Sequence, residues 1–347
     1  MAIREAIAKV AGGVPLEMDE ASAAMEEIVR GAASAAQIAA LAVALRMKGE
    51  TAAEVAGLAR VMRQEAVRVQ VTGDVVDTCG TGGDGLSTFN ISTVAAFVAS
   101  GAGVRVAKHG NRAFTSRCGS ADVLEVLGVA IELLPEEVAT CVEQVGIGFM
   151  FAPVFHPAMK HAAAPRREIG VRTVFNVLGP LTNPAGASAQ LLGVASPELV
   201  PLMGEVLKLL GCRRAMVVHG EEGIDEMSIS RSTQVYEIRE GFSRCYRVEP
   251  RDVGLDPAPL GALAGGSAAE NAAIARSILG GERGAPRDVV LLNSAAALYV
   301  AGKADSLQDG VEMSAASIDS GAAADKLERL RVLSLSLRQR RESGGVS

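Results

Sequence analysis

The residues best suited to chemistry form a glycine-rich loop after a short apolar run. From Asp77 to Thr93 the sequence reads DTCGTGGDGLSTFNIST, which places four glycines within six residues. Glycines let backbone N–H groups approach an anion closely, and a helix that starts after the loop adds the positive end of its dipole. The loop is neither a Walker A motif nor a GxGxxG dinucleotide fingerprint. It therefore predicts a phosphate site, with a tight strand-to-helix turn as the structural alternative.

A cationic segment with the sequence KHGNR, residues 108–112, is a second candidate anion site. It follows a predicted strand and continues through hydroxyl and glycine residues at 115–122 into a predicted helix. Ligands of parallel sheets gather beyond the carboxyl ends of the strands, so the segment predicts a second phosphate contact. The alternative is a solvated basic loop that Asp122 and Glu125 balance.

Two adjacent carboxylates, Asp225 and Glu226, lie in a loop that follows the apolar run at 215–219. Carboxylates are hard oxygen ligands, and Mg²⁺ commonly binds one or two of them while substrate phosphates and water complete its octahedron. The pair therefore indicates a magnesium site. A solvated acidic turn is the alternative.

A block rich in proline contains a pair of adjacent arginines, Arg166 and Arg167. Arginines held between prolines can present a planar fork to a carboxylate, which predicts a site for a carboxylate-bearing substrate. Two simpler interpretations stay open. His156 and His161 of the same block can be packed in a helical unit, and Arg167 can pair with Glu168.

Helices and strands of two separate regions must position these motifs. Residues 1 to about 68 have apolar positions at helical spacing, and Ser34 with Gln37 and Thr51 with Glu54 have the form of capping boxes. Beyond residue 70, short apolar runs alternate with helical stretches, which predicts a mostly parallel sheet covered by helices. The predicted strands are 75–78, 104–107, 148–151, 215–219 and 289–292, and the predicted helices include 92–101, 135–145, 197–210 and 325–341.

These patterns predict an α/β fold with a small N-terminal all-helical domain and a larger α/β domain. The predicted domains are 1–70, with a helical contribution from about 155–185, and 71–347. Segments 233–239 and 243–248 predict an antiparallel hairpin at the edge of the sheet. Five prolines between 153 and 186 indicate that the chain crosses between the two units there.

Composition excludes several classes of function. Lys and Arg number 34 against 40 Asp and Glu, so the net charge of −6 repels a polyanion such as DNA. The five cysteines show no metal-binding spacing and suit a reducing cytosol. The N-terminus lacks the apolar region of a signal peptide, and the apolar stretch at 38–45 is far shorter than the roughly 20 residues that a bilayer requires.

The order of the motifs along the chain is more informative than any single motif. In sequence order they are GTGGDG with STFNIST, KHGNR with GSAD, HPAMKHAAAPRRE with FNVLGPLTNP, and the acidic pair. From about Asp77 to Glu226 this combination closely resembles the anthranilate phosphoribosyltransferase family. The resemblance implies a phosphoribosyltransferase fold and a glycosyltransferase of tryptophan biosynthesis. Such an enzyme moves the 5-phosphoribosyl group of phosphoribosyl pyrophosphate onto the amine of anthranilate and releases pyrophosphate. It further implies Mg²⁺ as cofactor and a cytoplasmic homodimer that forms through the helical parts and binds neither nucleic acid nor membrane.

The resemblance also implies roles for residues at matching positions. Phosphoribosyl pyrophosphate would bind Gly80, Gly83, Asp84, Thr88, Asn90, Ile91, Ser92, Thr93, Lys108, Ser116 and Ser120. Anthranilate would bind Gly80, Asn111, Arg166 and His109, and Mg²⁺ would bind Ser92, Asp225 and Glu226. No covalent or acid–base residue is expected, because the aryl amine is already a free nucleophile, and Lys108 would act electrostatically. Sequence position suggests apolar walls at Met150, Phe151, Pro153 and Pro180.

Two other functions are compatible with parts of this pattern. A pyrimidine nucleoside phosphorylase also combines a helical domain with a glycine-loop α/β domain, but it uses inorganic phosphate and a nucleoside. A non-catalytic nucleic-acid-binding relative would reuse the phosphate contacts on a polyanion. The acidic pair favours a metal-bound diphosphate substrate over the first function, and the net charge disfavours the second.

Overall fold

The N-terminal region is helical, as its apolar spacing predicts. A computed structural model describes residues 2–113 and 117–344. Its first four helices are α1 (Ala2–Ala11), α2 (Met18–Val29), α3 (Ala35–Lys48) and α4 (Ala52–Glu65). Both predicted capping boxes form: the hydroxyls of Ser34 and Thr51 accept from the backbone N–H of Gln37 and Glu54, each at 3.3 Å.

A seven-stranded sheet forms the centre of the larger region. Its strands are β1 (Val76–Gly80), β2 (Val106–Gly110), β3 (Ile147–Phe151), β4 (Ala189–Gly193), β5 (Arg214–Gly220), β6 (Thr233–Arg239) and β7 (Phe242–Val248). The strand order is β3-β2-β1-β4-β5-β6-β7, with β1 to β5 parallel and β6 and β7 antiparallel. The predicted mostly parallel sheet with an antiparallel hairpin at one edge is confirmed.

Helices and short turns connect and cover these strands. The remaining α-helices are α5 (Ile91–Gly101), α6 (Ser120–Val126), α7 (Pro135–Val145), α8 (Ala152–Phe155), α9 (Lys160–Ile169), α10 (Phe175–Leu178), α11 (Leu199–Leu209), α12 (Ala268–Leu279), α13 (Ala285–Val300), α14 (Leu307–Asp319) and α15 (Ala322–Gly344). Single 3₁₀ turns lie at Pro157–Met159, Gly179–Leu181, Pro250–Val253 and Leu260–Leu263. No helix within 2–113 and 117–344 combines the length and apolar character that crossing a bilayer requires.

Two strand assignments from the sequence were wrong. The run at 289–292 belongs to α13, which is buried on nearly every side, and an apolar run of that length looks the same in a buried helix and a buried strand. Conversely, β4 was missed although it lies at the middle of the sheet between β1 and β5. Its sequence AQLLG combines a polar residue, two leucines and a glycine, which gives neither alternation nor a long apolar run.

Two hydrophobic clusters cover the two faces of the sheet. Successive strand residues point to opposite faces, so Leu191 of β4 joins the cluster that contains α5 and α13, whereas Leu192 joins the other cluster. That second cluster also contains the core of α1 to α4, and α4 packs on α11 against the sheet. Helix α9 packs on α3 and α2. The exact residue of a domain boundary near 70 stays a prediction.

The strand order creates a point where the connections diverge. Strands β2 and β3 lie on one side of β1, whereas β4 and β5 lie on the other side, and all five run parallel. In such sheets ligands bind in the crevice beyond the carboxyl ends of the diverging strands. The glycine loop leaves β1 at this position. The β6–β7 turn, Glu240-Gly241, lies at the other end of the sheet, beyond the amino ends of the parallel strands, because Arg239 pairs with the start of β5 at Arg214.

Candidate functional site

The glycine loop that follows β1 contacts the acidic loop that follows β5. Gly82 and Gly83 have φ angles of 64° and 73°, a region that favours glycine, and the Gly82 N–H donates to the Asp225 carboxylate at 2.7 Å. Gly80 approaches the same residue so closely that an added Cβ would lie only 3.0 Å from the Asp225 Cγ. The two motifs, distant in sequence, therefore form one site.

The acidic loop is held in place from two sides. Asn293 of α13 accepts from the Met227 N–H and donates to the Met227 carbonyl, both at 2.9 Å, which fixes the backbone next to Glu226. On the other side, a Cβ on Gly193 of β4 would overlap the Asp225 carbonyl oxygen. A glycine at the end of β4 is thus required for this loop to reach the carboxyl edge of the sheet.

Lys108 and the start of α5 complete the contact between the three motifs. The buried Lys108 ammonium donates to the Thr78 carbonyl and to the Ser92 hydroxyl, the latter at 3.3 Å. The Ser92 backbone N–H donates to the Glu226 carboxylate at 3.1 Å. The glycine loop, the cationic segment and the acidic pair therefore meet at one place.

Closely spaced carboxylates make this place a candidate cation site. Burial, reinforced by the charge of Asp84, raises the pKa of Asp225 to about 7. Burial together with the charge of Asp225 raises the pKa of Glu226 to about 8, although Lys108 opposes this shift. A divalent cation relieves such repulsion, and the Ser92 hydroxyl offers another hard oxygen.

The donor set fits Mg²⁺ better than a metal bound by protein alone. Among the residues that the structure describes, no three His, Cys, Asp or Glu side chains are arranged to hold a metal ion. Mg²⁺ keeps several water ligands and takes one or two carboxylates together with substrate phosphates. Asp225, Glu226 and Ser92 match that requirement.

The residues at the start of α5 differ in what they offer a ligand. The Thr93 hydroxyl is buried without a hydrogen-bond partner among the described residues, so its hydrogen-bonding capacity is not used within them. The Asn90 side chain is engaged, since it donates to the Cys118 carbonyl at 3.2 Å and accepts from Asn271 at 3.0 Å. Ile91 is buried, which leaves only its backbone for binding.

The cationic segment divides into a buried and an exposed part. Lys108 and His109 are buried, whereas Arg112 is exposed and pairs with Asp122 at 3.1 Å and with Glu125. The interpretation as a balanced basic loop is therefore correct for Arg112 alone.

Asn111 is exposed, and its carbonyl accepts from the Ser120 hydroxyl at 3.3 Å. Among the other predicted residues, Thr88 forms a β-bridge with Ala264, and Ser116 lies outside the described residues.

A pair of buried histidines adjoins the cationic segment. The ring centroids of His109 and His156 are 5.0 Å apart, and each Nε2 is buried without a partner among the described residues. Burial lowers the pKa of His109 to about 3 and that of His156 to about 4, so both rings are neutral at pH 7. His161, by contrast, is exposed.

Arg166 lies half-buried on α9, with its guanidinium 5.7 Å from the centre of the Phe175 ring. Burial lowers the pKa of this guanidinium. Of the suggested apolar walls, Met150, Phe151 and Pro180 are buried, whereas Pro153 is exposed.

Some residues that organise the site had no role in the sequence analysis. Asp77 of β1 is fully buried and accepts from the His109 N–H at 3.2 Å and from Asn183 at 2.8 Å. Asn183 also donates to the Ala107 carbonyl at 2.8 Å, which ties the proline-rich block to the sheet. Asp77 could have been identified from the sequence, because it is a charged residue inside an apolar strand. Arg172, whose guanidinium lies against Gly83, gave no such signal.

Comparisons with known proteins agree with this architecture. The glycosyl transferase family, a/b domain matches residues 72–324, and the glycosyl transferase family, helical bundle domain matches residues 4–66. The anthranilate phosphoribosyltransferase of Symbiobacterium thermophilum is 57% identical over 331 residues, which cover 95% of this chain and 97% of that protein.

Solved structures give the same result. The crystal structure of anthranilate phosphoribosyltransferase from Thermus thermophilus superposes with a TM-score of 0.90 at 49% identity, covering 95% of this chain and 99% of that one. The Saccharomyces cerevisiae enzyme in complex with PRPP and Mg gives a TM-score of 0.88 at 29% identity, covering 96% and 98%. The identity extends over both the helical and the α/β region, and the chain belongs to the anthranilate phosphoribosyltransferase family.

Proposed function

We propose that this chain transfers the 5-phosphoribosyl group of phosphoribosyl pyrophosphate to the amine of anthranilate, with Mg²⁺ as cofactor. The observation that carries the proposal is the meeting of three motifs at the carboxyl edge of the sheet. Gly82 contacts Asp225, Ser92 contacts Glu226, and Lys108 contacts Ser92. Backbone donors, a cation and metal-binding carboxylates at one place are what a departing diphosphate requires.

Phosphoribosyl pyrophosphate binds along the glycine loop and the start of α5 in this proposal. The unpartnered Thr93 hydroxyl and the Lys108 ammonium are its clearest donors. The other proposed contacts are Gly80, Gly83, Asp84, Thr88, Asn90, Ile91, Ser92, Ser116 and Ser120. The Asn90 side chain also bonds to the Cys118 carbonyl, which holds that loop against the start of α5.

Ser92, Asp225 and Glu226 are the residues that would hold Mg²⁺. When bound, the ion neutralises charge on the diphosphate and helps to orient it. The protein prepares for the ion by keeping two carboxylates in a place where burial, reinforced by the charge of a neighbouring carboxylate, raises both pKa values.

Anthranilate binds near the histidine pair, with its carboxylate on Arg166 and further contacts from Gly80, Asn111 and His109. The Gly179 backbone bonds to the His109 ring, and Nε2 is the nitrogen left without a partner. A neutral imidazole that donates through Nδ1 offers a lone pair on Nε2. That lone pair can accept a hydrogen bond from the anthranilate amine and so orient it.

The reaction then needs no covalent enzyme intermediate. The amine nitrogen forms a bond to the anomeric carbon as the bond from that carbon to the diphosphate oxygen breaks. The nitrogen carries an extra proton once it has bonded and releases it to water, and the diphosphate leaves with the electron pair. Lys108 and the amides of the glycine loop stabilise the negative charge that develops, in a site where they are already oriented.

We further infer a cytoplasmic homodimer that forms through the helical region. Met47 of α3 is 83% exposed, although it is a large apolar residue of a region whose other apolar residues are mostly buried. Sedimentation velocity of the native chain is expected to give a dimer, and Met47→Glu is expected to shift it toward monomer. A native monomer would contradict this inference.

An activity assay tests the function directly. Purified protein mixed with anthranilate, phosphoribosyl pyrophosphate and Mg²⁺ is expected to remove the fluorescence of anthranilate and to release pyrophosphate. Omission of either substrate or of Mg²⁺ is the control. Phosphate-dependent cleavage of thymidine or uridine, with no loss of anthranilate, would instead support the nucleoside phosphorylase alternative.

A further inference from the structure

Arg172 lies directly against the glycine loop, although it comes from a different part of the chain. It precedes α10 in the segment 170–174, two residues after Gly170, which caps the end of α9. A Cβ built on Gly83 would overlap the Arg172 Nη1 and would lie 2.5 Å from its Cζ. The guanidinium therefore rests on the backbone of a loop that the sequence already marks as anion-binding.

This guanidinium has no charge partner among the described residues. Arg172 is half-buried and makes neither an ion pair nor a hydrogen bond within 2–113 and 117–344. Arginines elsewhere do pair, for example the exposed Arg213 with Asp74 at 2.6 Å and the half-buried Arg214 with Glu240 at 2.8 Å. A partly desolvated arginine without an acceptor is unfavourable, unless a bound anion supplies that acceptor.

The local backbone holds Arg172 at this position. The Thr173 N–H donates to the Asn176 side chain at 2.9 Å, which fixes the turn into α10. Residues Thr173 to Phe175 are buried, so the backbone that carries Arg172 is packed. The Arg172 side chain thus extends to the glycine loop from a backbone segment whose position is fixed by packing.

We propose that Arg172 is a further binding residue for the diphosphate of phosphoribosyl pyrophosphate, an inference that rests on the proposed function. Arg172 contacts Gly83, and the neighbouring Gly82 bonds to Asp225. Arg172 therefore lies on the diphosphate side of the site. A planar guanidinium binds two phosphate oxygens at once, which Lys108 as a point charge does not. Arg172 and Lys108 would then contact the leaving group from different parts of the fold.

Kinetics of substituted enzymes test this assignment. Arg172→Gln is expected to raise the KM for phosphoribosyl pyrophosphate about 10- to 100-fold, the range for one lost charge-assisted hydrogen bond. The KM for anthranilate is expected to stay within about twofold. Arg172→Lys, which keeps the charge and loses the fork, is expected to fall between native and Arg172→Gln. Arg167→Gln, on the exposed face of α9, is the matched control and is expected to behave as native.

A second measurement does not depend on turnover. Inorganic pyrophosphate with Mg²⁺ is expected to raise the melting temperature of the native chain and of Arg167→Gln, and to raise that of Arg172→Gln clearly less. Absence of transferase activity in the native chain would refute the proposed function, while the pyrophosphate shift would still report on Arg172. Equal pyrophosphate shifts in both variants would overturn the inference. So would a rise confined to the anthranilate KM, which would place Arg172 on the carboxylate instead.

Discussion

Two carboxylates, Asp225 and Glu226, lie next to each other at the carboxyl edge of the sheet, and burial makes both harder to ionise. The Gly82 and Ser92 backbone N–H groups each stabilise one of them, but burial still raises both pKa values. Such a pair lowers the stability of the protein in the absence of a cation, and we expect a bound cation to offset that cost.

Removing either carboxylate is expected to weaken the use of Mg²⁺. Asp225→Asn and Glu226→Gln should each raise the Mg²⁺ concentration needed for half-maximal rate and lower turnover, because one anionic oxygen ligand is lost. Initial rates across a Mg²⁺ series measure this. Glu221→Gln, in the same loop but exposed and paired with Arg247, is the control. Native Mg²⁺ dependence in both site variants would remove these residues as ligands.

Arg166 is expected to serve anthranilate rather than the diphosphate. Arg166→Ala should raise the KM for anthranilate, because it weakens the binding free energy of anthranilate by an amount on the order of 2–3 kcal/mol, as expected for a lost charge-assisted bond. The KM for phosphoribosyl pyrophosphate should change much less. Steady-state kinetics with each substrate varied in turn measure both values, and Arg167→Ala on the same helix is the control. An anthranilate KM equal to that of the native enzyme contradicts the role.

At the scale of elements, the site depends on two glycines that end neighbouring strands. Gly80 ends β1 and Gly193 ends β4, and both lie so close to Asp225 that neither has space for a side chain. The acidic loop is thereby placed at the point where the connections of the sheet diverge.

A methyl group at the end of β4 is expected to displace the acidic loop. Gly193→Ala should lower kcat/KM strongly and cost about 1–3 kcal/mol in stability, because the new Cβ overlaps a backbone carbonyl that cannot rotate away. Activity and melting temperature report the two effects. Gly261→Ala, where nothing lies within 4 Å of the new Cβ, should leave both unchanged. Native activity in Gly193→Ala would mean that the loop tolerates this shift.

The sequence predicted the motifs that meet at the candidate site better than it predicted the strand that organises it. The glycine loop, Lys108 and the acidic pair are visible because their residue types are rare in simple turns. Strand β4 is not visible, because Gln190 and Gly193 interrupt its apolar character for reasons that exist only in the folded chain. Gln190 donates to the Pro180 carbonyl at 2.5 Å, and Gly193 makes room for Asp225. Arg172 was missed for the same reason, since its contact with Gly83 is purely tertiary.

At the scale of the whole molecule, the helical region is not an independent unit. Its core continues into one face of the sheet through α4 and α11. Arg63 of α4 reinforces this joint by donating to the Leu181 carbonyl at 2.6 Å and to the Leu210 carbonyl at 3.1 Å. The histidine pair lies at a second joint, between β2 and the proline-rich block.

Acid is expected to loosen this second joint. The folded pKa of His156, about 4, is below the ordinary 6.5, so the unfolded chain binds more protons between these values and stability falls as pH drops through that window. The charged and titratable neighbours of the pair are Lys108 and Asp77, beside His109. His156→Gln should therefore lose less stability than the native chain between pH 7 and pH 5.

Melting temperatures at the two pH values measure this difference. His161→Gln changes an exposed histidine of the same block and should keep the pH dependence of the native chain. If His156→Gln and the native chain lose stability equally on acidification, the buried ring does not contribute to the acid response.

The hairpin of β6 and β7 offers an attachment site for a tag or a label on this enzyme. Its turn, Glu240-Gly241, has positive φ angles at both residues and lies at the end of the sheet opposite the candidate functional site. A peptide tag or a fluorescent label inserted there would be separated from the substrates by the full length of the strands. Immobilised enzyme or single-molecule probes attached at this turn could thus report on catalysis without obstructing it.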